Sequence, residues 1–362
     1  VTEVVNDGKH FDLNWLEGSW IDSTTLGHLG RVSYEEWKKN KLIYFGEKFG
    51  IYKGDTNTSI KVTITETEGK YYYSFDLIFE GKPKPDFKPK IETFFNRIVS
   101  YLPFLLDYHF VIETSNSFPH SSGIASSASG MSALALCLME IERTLDPEIT
   151  EAYFIRKASF LSRLGSGSAC RSIQGDLVQW GNHADTEGSS NLFGIKYPYK
   201  IHAIFKNYHD TILLVDKGEK QVSSTVGHDL MHGHPFAEQR FEQANENLTK
   251  LKSVFENGDL PEFIKIVESE ALTLHAMMMT SHPCFVLMKP NTLEIINKIW
   301  AFRERSGTHV CFTLDAGANV HVLYPENEKE KVYQFIKNEL VAYCQNQQYI
   351  CDRIGFGAKR LS

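Results

Sequence analysis

Small, hydroxyl-bearing residues crowd the stretch "FPHSSGIASSASGM" at residues 118–131, directly before an apolar run that predicts a buried helix. Nine of its fourteen residues are Ser, Gly or Ala. Because the first N–H groups of a helix have no partner within it and carry partial positive charge, a polyanion can bind there if no side chain blocks its approach. Serine hydroxyls and the permissive backbone of Gly123 and Gly130 suit phosphate binding. The alternative is a tightly packed loop capped by Ser.

A second segment, "SRLGSGSACRS" at residues 162–172, again joins Gly and Ser and adds Arg171. A guanidinium can hold a carboxylate or a phosphate through two parallel hydrogen bonds. A lone Arg in a loop is usually a solvated charge, but two such segments in one chain favour anion binding. Neither segment has the spacing G-x-x-x-x-G-K-[ST] or G-x-G-x-x-G, so neither is one of those two nucleotide loops.

The third candidate is Asp315, which ends the apolar run "CFTLD" and enters a turn formed by residues 316–318, "AGA". A carboxylate in this position commonly caps the turn. Alternatively, it faces a cleft and orients or deprotonates a substrate hydroxyl. The sequence pattern alone leaves both interpretations open.

Composition limits the class of protein. The chain has 362 residues, 42% of them hydrophobic, which predicts one large or two medium globular domains. The formal charge of −7 comes from 45 acidic and 38 basic residues, and the basic residues are scattered, which argues against a nucleic-acid partner. The N-terminal residues do not resemble a secretory signal and no apolar window is long enough for a membrane span, so we expect a cytoplasmic protein.

The six cysteines are dispersed and form no C-x-x-C pair, which predicts buried thiols rather than disulfides or a zinc site. Strand and helix patterns mix without strict alternation, which indicates the α+β class. We expect a hairpin at 58–81, a Lys- and Pro-rich surface loop at 81–90, and two strands at 197–216 that open a second domain. The last third predicts helices, then two strands around Gly317, then a closing helix.

Four motifs carry a resemblance to a known family: "PHSSGIASSASGMSALAL", "SRLGSGSACRS", "VSST" at 222–225 and "FTLDAGANVHVLYP". Together, in this order from about residue 114 to the C-terminus, they resemble the diphosphomevalonate decarboxylases of the GHMP kinase superfamily. The resemblance implies a two-domain α+β fold with a deep cleft between the domains. It implies an N-terminal ATP-binding domain at 1–200, with an extension of about 30 residues, a C-terminal domain at 201–362, and a homodimer.

The implied activity is the ATP- and Mg²⁺-dependent conversion of mevalonate 5-diphosphate to isopentenyl diphosphate, carbon dioxide, ADP and phosphate. By this resemblance, the residues expected to hold the ATP phosphates are Ser122, Gly123, Ala125, Ser126 and Ser127, with Ser127 also on the metal. Those expected to bind the small-molecule substrate are Ser166, Gly167, Ser168, Arg171, Ser224, Thr225 and Lys48. Arg171 would hold the carboxylate, and Asp315 would orient or deprotonate the hydroxyl. Asp315, Arg171 and Ser127 are thus the expected catalytic residues.

The sequence departs from the family pattern in two places. Where the family has "KYWGK", this chain has "LIYFGEKFG", which puts Tyr44 at the first lysine, Phe45 at the tyrosine and Lys48 at the second lysine. Asp176 stands where the family usually has a glycine. These departures leave three alternatives open: an active decarboxylase, a related kinase or decarboxylase with another substrate, and a catalytically silent paralogue that binds a ligand.

Overall fold

The computed structural model describes residues 48–53, 58–66, 73–116, 126–216, 230–355 and 357–361. These residues form two compact units. The first contains the described residues up to 116, residues 126–197 and the C-terminal strand, and the second contains the described residues from 198 to 354. The mixture of helices and sheets confirms the expected α+β class.

The first unit is built on a six-stranded sheet with the strand order β12-β1-β2-β5-β3-β4. Its strands are β1 (Lys48–Lys53), β2 (Thr58–Glu66), β3 (Ser74–Phe79), β4 (Lys82–Pro83), β5 (Tyr108–Asn116) and β12 (Lys359–Leu361). A two-stranded ribbon adds β6 (Val178–Trp180) and β7 (Gly194–Lys196). Helices α1 (Lys88–Ile98), α2 (Ser126–Leu145) and α3 (Glu151–Gly165) pack with the sheet around one apolar core.

The hairpin expected at 58–81 is wrong. Strand β5 lies between β2 and β3, pairing antiparallel with β2 and parallel with β3. The alternation of apolar residues correctly indicated two strands with one buried face, but a local pattern cannot show that a strand from later in the chain inserts between them. The sequence Glu-Gly-Lys at 68–70, which suggested the turn of this hairpin, lies outside the described residues.

The second unit has a four-stranded antiparallel sheet in the order β11-β8-β10-β9. The strands are β8 (Tyr208–Leu213), β9 (Cys311–Thr313), β10 (Val320–Pro325) and β11 (Tyr349–Arg353). The helices are α4 (Ala237–Asn257), α5 (Leu260–Thr280), α6 (Pro290–Ser306) and α7 (Lys329–Phe335), which continues as a π-helical turn, Ile336–Leu340. Helix α6 ends as expected, because Gly307 adopts the left-handed conformation that glycine tolerates best (φ 67°).

Three other expectations need correction. Only one of the two strands expected at 197–216 exists, β8, because residues Ala203–Phe205 form a 3₁₀ turn instead. The C-terminal strand β12 pairs with β1, so the last residues belong to the first unit and not to a C-terminal domain extending to 362. The reason is that β1 would otherwise be an edge strand with unpaired backbone groups. All six cysteines are free thiols, but Cys284 and Cys351 are exposed.

Candidate functional site

The predicted site residues that the structure describes fall into two groups, one in each unit. In the first unit, helix α2 begins at Ser126, within the Ser- and Gly-rich segment at 118–131, so it starts earlier than the apolar run from which the sequence predicts it. Ser127 lies in the first turn, where backbone N–H groups have no partner within the helix. Ser122, Gly123 and Ala125 lie outside the described residues, as do Ser224, Thr225 and Tyr44. Lys48 begins strand β1.

A lysine that sequence reasoning missed lies beside the start of α2. The ammonium of Lys90 donates a hydrogen bond to the hydroxyl of Ser127. The Pro- and Lys-rich composition predicted a loop here, but Lys88, Pro89 and Lys90 form the first turn of α1, where proline is favoured because its missing N–H is not needed. The observation places a positive charge and a helix N-terminus together, an arrangement that attracts anions.

The second predicted segment joins α3 to a 3₁₀ helix, Gly167–Ser172. Ser166 has an extended backbone (φ −157°), ends α3 and accepts a hydrogen bond from the Ala169 N–H at 2.8 Å. Gly165 lies against the start of α2, since a Cβ atom there would be 2.6 Å from the sulfur of Met131. A side chain at position 165 would force Met131 to move, so the glycine favours the close approach of the two Ser- and Gly-rich segments.

The two arginines of this segment have different surroundings. Arg163 is buried and donates from Nε to the carbonyl of Leu192 at 3.1 Å, and its burial lowers the pKa of its guanidinium. Arg171 is exposed on the 3₁₀ helix, and no carboxylate in the described part of the chain forms an ion pair with it. Arg163 therefore holds the segment in place, whereas Arg171 is available to an anion.

A buried serine supports the 3₁₀ helix from behind. The Ser159 hydroxyl donates to the carbonyl of Cys170 at 2.9 Å and accepts from the Gly194 N–H at 2.9 Å. Because Ser159 has no exposed surface, these bonds are shielded from water and fix the backbone next to Arg171. Asp176, where the family usually has a glycine, is half exposed and lies 3.7 Å from the Lys196 ammonium across the β6–β7 ribbon.

In the second unit, Asp315 follows strand β9 and enters a tight turn closed by the Gly317 N–H bonding to the Asp315 carbonyl at 2.7 Å. Two buried side chains from helices hold this turn. His275 of α5 donates from Nε2 to the Asp315 carbonyl at 3.2 Å, and Thr292 of α6 donates to the Ala318 carbonyl at 2.7 Å. Burial lowers the pKa of His275, so this histidine is neutral at pH 7. The backbone of Asp315 is thus fixed by the fold.

Metal binding has limited support from the side chains alone. The described residues contain no group of three or more His, Cys, Asp or Glu side chains that could hold a metal ion. A divalent ion would therefore need ligands from a bound molecule as well as from the protein, which is the usual situation for Mg²⁺ on nucleotide phosphates. In addition, none of the described helices is long and apolar enough to cross a membrane.

Comparison with protein-family models decides the family. Residues 44–191 match the diphosphomevalonate decarboxylase-like N-terminal domain, and residues 211–355 match the mevalonate 5-diphosphate decarboxylase C-terminal domain. The chain belongs to the diphosphomevalonate decarboxylase family. The first match contains all the described candidate residues except Asp315, and the second match contains Asp315.

Individual members of the decarboxylase family are distant in sequence. The diphosphomevalonate decarboxylase of Aspergillus fumigatus is 25% identical over 319 residues, which cover 81% of this chain and 76% of that enzyme. The enzyme of Saccharomyces cerevisiae is 27% identical over 238 residues, 65% of this chain and 58% of that enzyme. The human enzyme is 26% identical over 221 residues, 60% of this chain and 52% of that enzyme.

Solved structures of the decarboxylase family share the fold. The mevalonate diphosphate decarboxylase of Legionella pneumophila superposes with a TM-score of 0.67 at 26% identity, covering 85% of this chain and all of that chain (100%). The enzyme of Enterococcus faecalis gives a TM-score of 0.68 at 24% identity, covering 85% of this chain and 88% of that chain. The two-domain fold expected from the sequence motifs is therefore confirmed.

Proposed function

We propose that the chain catalyses the ATP-dependent decarboxylation of mevalonate 5-diphosphate to isopentenyl diphosphate. The observation that carries this proposal is that two segments suited to bind anions lie together in the first unit. One is the start of α2 with Ser127 and Lys90, and the other is the 3₁₀ helix with Arg171. The close approach of Gly165 to Met131 joins them. Family membership supports the choice of reaction, and a solved structure of the protein MDDEF, with a TM-score of 0.68, contains MVAPP, AMPPCP and magnesium.

We assign each candidate residue a role from its chemistry and from the family resemblance. The first turn of α2, with Ser126 and Ser127, binds the ATP phosphates, and Ser122, Gly123 and Ala125 precede it. Lys90 neutralises phosphate charge beside Ser127, which is also a ligand of Mg²⁺ held by the phosphates. Ser166, Gly167 and Ser168 bind the substrate's diphosphate and hydroxyl groups, together with Ser224, Thr225 and Lys48. Arg171 holds the carboxylate in two-point contact.

The reaction needs a base or an orienting group at the tertiary hydroxyl, and Asp315 is the carboxylate assigned to it. The hydroxyl oxygen attacks the γ-phosphorus of ATP, its proton passes to Asp315, and ADP leaves. Loss of the new phosphate leaves positive charge at carbon 3, and the bonding electrons of the departing carboxylate form the alkene. Arg171 must position that carboxylate without stabilising its charge too strongly, since strong stabilisation of the ground state would oppose its departure.

One incubation separates the three alternatives left by the sequence. The purified chain is mixed with ATP, Mg²⁺ and, in turn, mevalonate, its 5-phosphate and its 5-diphosphate, while ADP and carbon dioxide are measured separately. The proposal requires equal amounts of both products with the 5-diphosphate and neither with the other two. ADP without carbon dioxide identifies a kinase, and neither product identifies a silent binding protein.

Replacement of Ser127 by Ala tests the start of α2. We expect turnover to fall more than about tenfold while the melting temperature changes little, because the half-buried first-turn hydroxyl of Ser127 contributes to ligand binding and not to the apolar core. Ser132→Ala is the matched control, since the Ser132 hydroxyl is buried on the same helix and bonds only to the carbonyl of Ser129. Unchanged turnover in Ser127→Ala would remove Ser127 from the site.

Replacement of Arg171 by Lys tests the two-point contact. An ammonium keeps the charge but cannot form two parallel hydrogen bonds, so we expect the substrate KM to rise roughly 10- to 100-fold, the equivalent of about 1.5–3 kcal/mol for a hydrogen bond to a charged group. The control is Arg305→Lys, which alters a partly exposed ion pair with Glu339 in the second unit. A KM and kcat equal to those of the unmodified protein would contradict the role of Arg171.

A further inference from the structure

One face of the sheet in the second unit carries a row of ionisable side chains. In the antiparallel register, Asp210 of β8 lies opposite Asp352 of β11, and His321 of β10 lies opposite Thr313 of β9. His321 also pairs with Ile212, two residues from Asp210, so all of these side chains project from the same face. Asp315 follows Thr313 by two residues at the same end of the sheet.

His321 is oriented by a hydrogen bond across the strands. Its Nδ1–H donates to Oδ2 of Asp210 at 2.8 Å, and the side chains are 15% and 30% exposed, respectively. The other oxygen of Asp210, Oδ1, is buried and has no hydrogen-bond partner among the described residues. The imidazole is therefore held in one orientation, with Nε2 directed away from Asp210.

The charges of three carboxylates act on this one imidazole. Burial alone would lower the pKa of His321, but the charges of Asp210, Asp315 and Asp352 outweigh burial and raise it above its ordinary value of 6.5. Burial and the neighbouring Asp210 raise the pKa of Asp352. Helix α5 faces the same end of the sheet with His275, which burial keeps neutral, and β9 contributes the Cys311 thiol, whose pKa burial also raises. His321 is thus the base of this cluster whose protonated form its carboxylate neighbours favour.

We propose that His321, oriented by Asp210, is a positioning residue for Asp315: its positive charge holds the Asp315 carboxylate in place and offsets the negative charge that the substrates bring to it. The proposal rests on the proposed function for the identity of those substrates. The ion pair with Asp210 accounts for the orientation of His321. Asp315 lies two residues beyond Thr313, the residue opposite His321 in the register, and at this position its charge also favours the protonated imidazole. A polyanionic substrate approaching an isolated carboxylate would meet uncompensated repulsion.

The electrostatic effect of Asp315 on His321 is tested without measuring turnover. The imidazole C–H signals of the full-length chain are titrated by NMR, and the signal absent from His321→Gln identifies His321. We expect its pKa above 6.5 in the unmodified protein, with a fall in both Asp210→Asn and Asp315→Asn. A His321 pKa that does not respond to Asp315→Asn would overturn the proposal.

The effect on catalysis is tested by the pH dependence of kcat. We expect kcat of the unmodified protein to fall as pH rises through the pKa of His321, and Asp210→Asn to move this fall to lower pH. His321→Gln should lose about 10- to 100-fold in kcat near neutral pH, and its kcat should no longer fall over this pH range. His321→Lys should keep activity to higher pH, because an ordinary lysine stays charged to about pH 10.

The outcomes distinguish this proposal from the proposed function. Normal turnover with an unaltered pH profile in His321→Gln rejects the positioning role alone. The role is also rejected if kcat of His321→Gln falls only in proportion to a lower melting temperature while its decrease with rising pH is unchanged. That result would indicate a purely structural ion pair. An unmodified protein that releases neither ADP nor carbon dioxide rejects the proposed function and with it the catalytic part of this inference. The NMR titration still decides whether the charge of Asp315 acts on His321.

Discussion

Replacing Asp315 by Asn is expected to lower the rates of ADP and carbon dioxide formation together by roughly 10²- to 10⁴-fold, the usual scale of general acid–base assistance. The two rates fall together because phosphorylation of the hydroxyl precedes decarboxylation. The substitution keeps the size and shape of the side chain and removes its charge and basicity. The turn itself should survive, because His275 and Thr292 hold its backbone carbonyls and not the carboxylate.

Initial rates, with ADP and carbon dioxide followed in parallel, provide the measurement for Asp315→Asn, and thermal unfolding provides the check on folding. Asp86→Asn is the control, because Asp86 is an exposed carboxylate that forms an ion pair with Lys84, away from Asp315 in sequence. Ligand binding should persist in Asp315→Asn. A variant that melts several degrees lower but turns over normally would show that Asp315 only caps the turn, and the catalytic assignment would be wrong.

The largest stability effect is expected from Lys157→Met. The Lys157 ammonium of α3 bonds to Glu142 of α2, and the two side chains are only 11% and 9% exposed. Removing one partner of a buried pair leaves an uncompensated charge, which typically costs about 3–5 kcal/mol of unfolding free energy. These two helices carry Ser127 and Ser166 at their ends, so the same variant should also lose activity at temperatures where the unmodified chain is stable.

A double variant separates charge from packing in this pair. Lys157→Met combined with Glu142→Leu should recover most of the loss, because apolar residues of similar volume can replace a buried pair. Burial raises the pKa of Glu142 against the opposing effect of Lys157. The deficit of the single variant should therefore shrink as the pH is lowered, since a protonated carboxyl leaves no unpaired charge. Denaturant unfolding at several pH values measures this, and a double variant no more stable than the single one would contradict it.

The sequence predicted the parts of the site that follow from local pattern. Helix α2 was predicted from the apolar stretch that follows a run of small residues, and the structure contains it, although it begins within that run at Ser126. Asp315 was singled out from its place after an apolar strand, and it does follow β9. Their roles in the reaction stay predictions. Lys90 was missed because alternating Lys and Pro usually marks a loop, although the observed Pro89 begins a helix.

Contacts between distant parts of the chain could not be predicted from local sequence patterns. His321 and Asp210 meet only because β8 and β10 are paired, and nothing in either strand indicates the partner. The same reason explains the wrong hairpin at 58–81, since β5 separates the two strands. Family motifs supplied the two-domain fold, but they did not predict that the chain returns to the first unit at its C-terminal end.

That return has a consequence for the order of folding during synthesis. Strand β12 pairs with β1, so the sheet of the first unit gains its last strand only after the whole second unit has been translated. At usual elongation rates this leaves the β1 edge unpaired on the ribosome for roughly 15 to 60 s. Arg360 of β12 then bonds to the nearly buried Glu140 of α2 at 2.9 Å, which ties the newest residues to the helix that begins at the proposed phosphate site. Nascent chains should therefore acquire a protease-resistant first unit only near the end of translation, and changes in the last few residues should act on the N-terminal half of the protein.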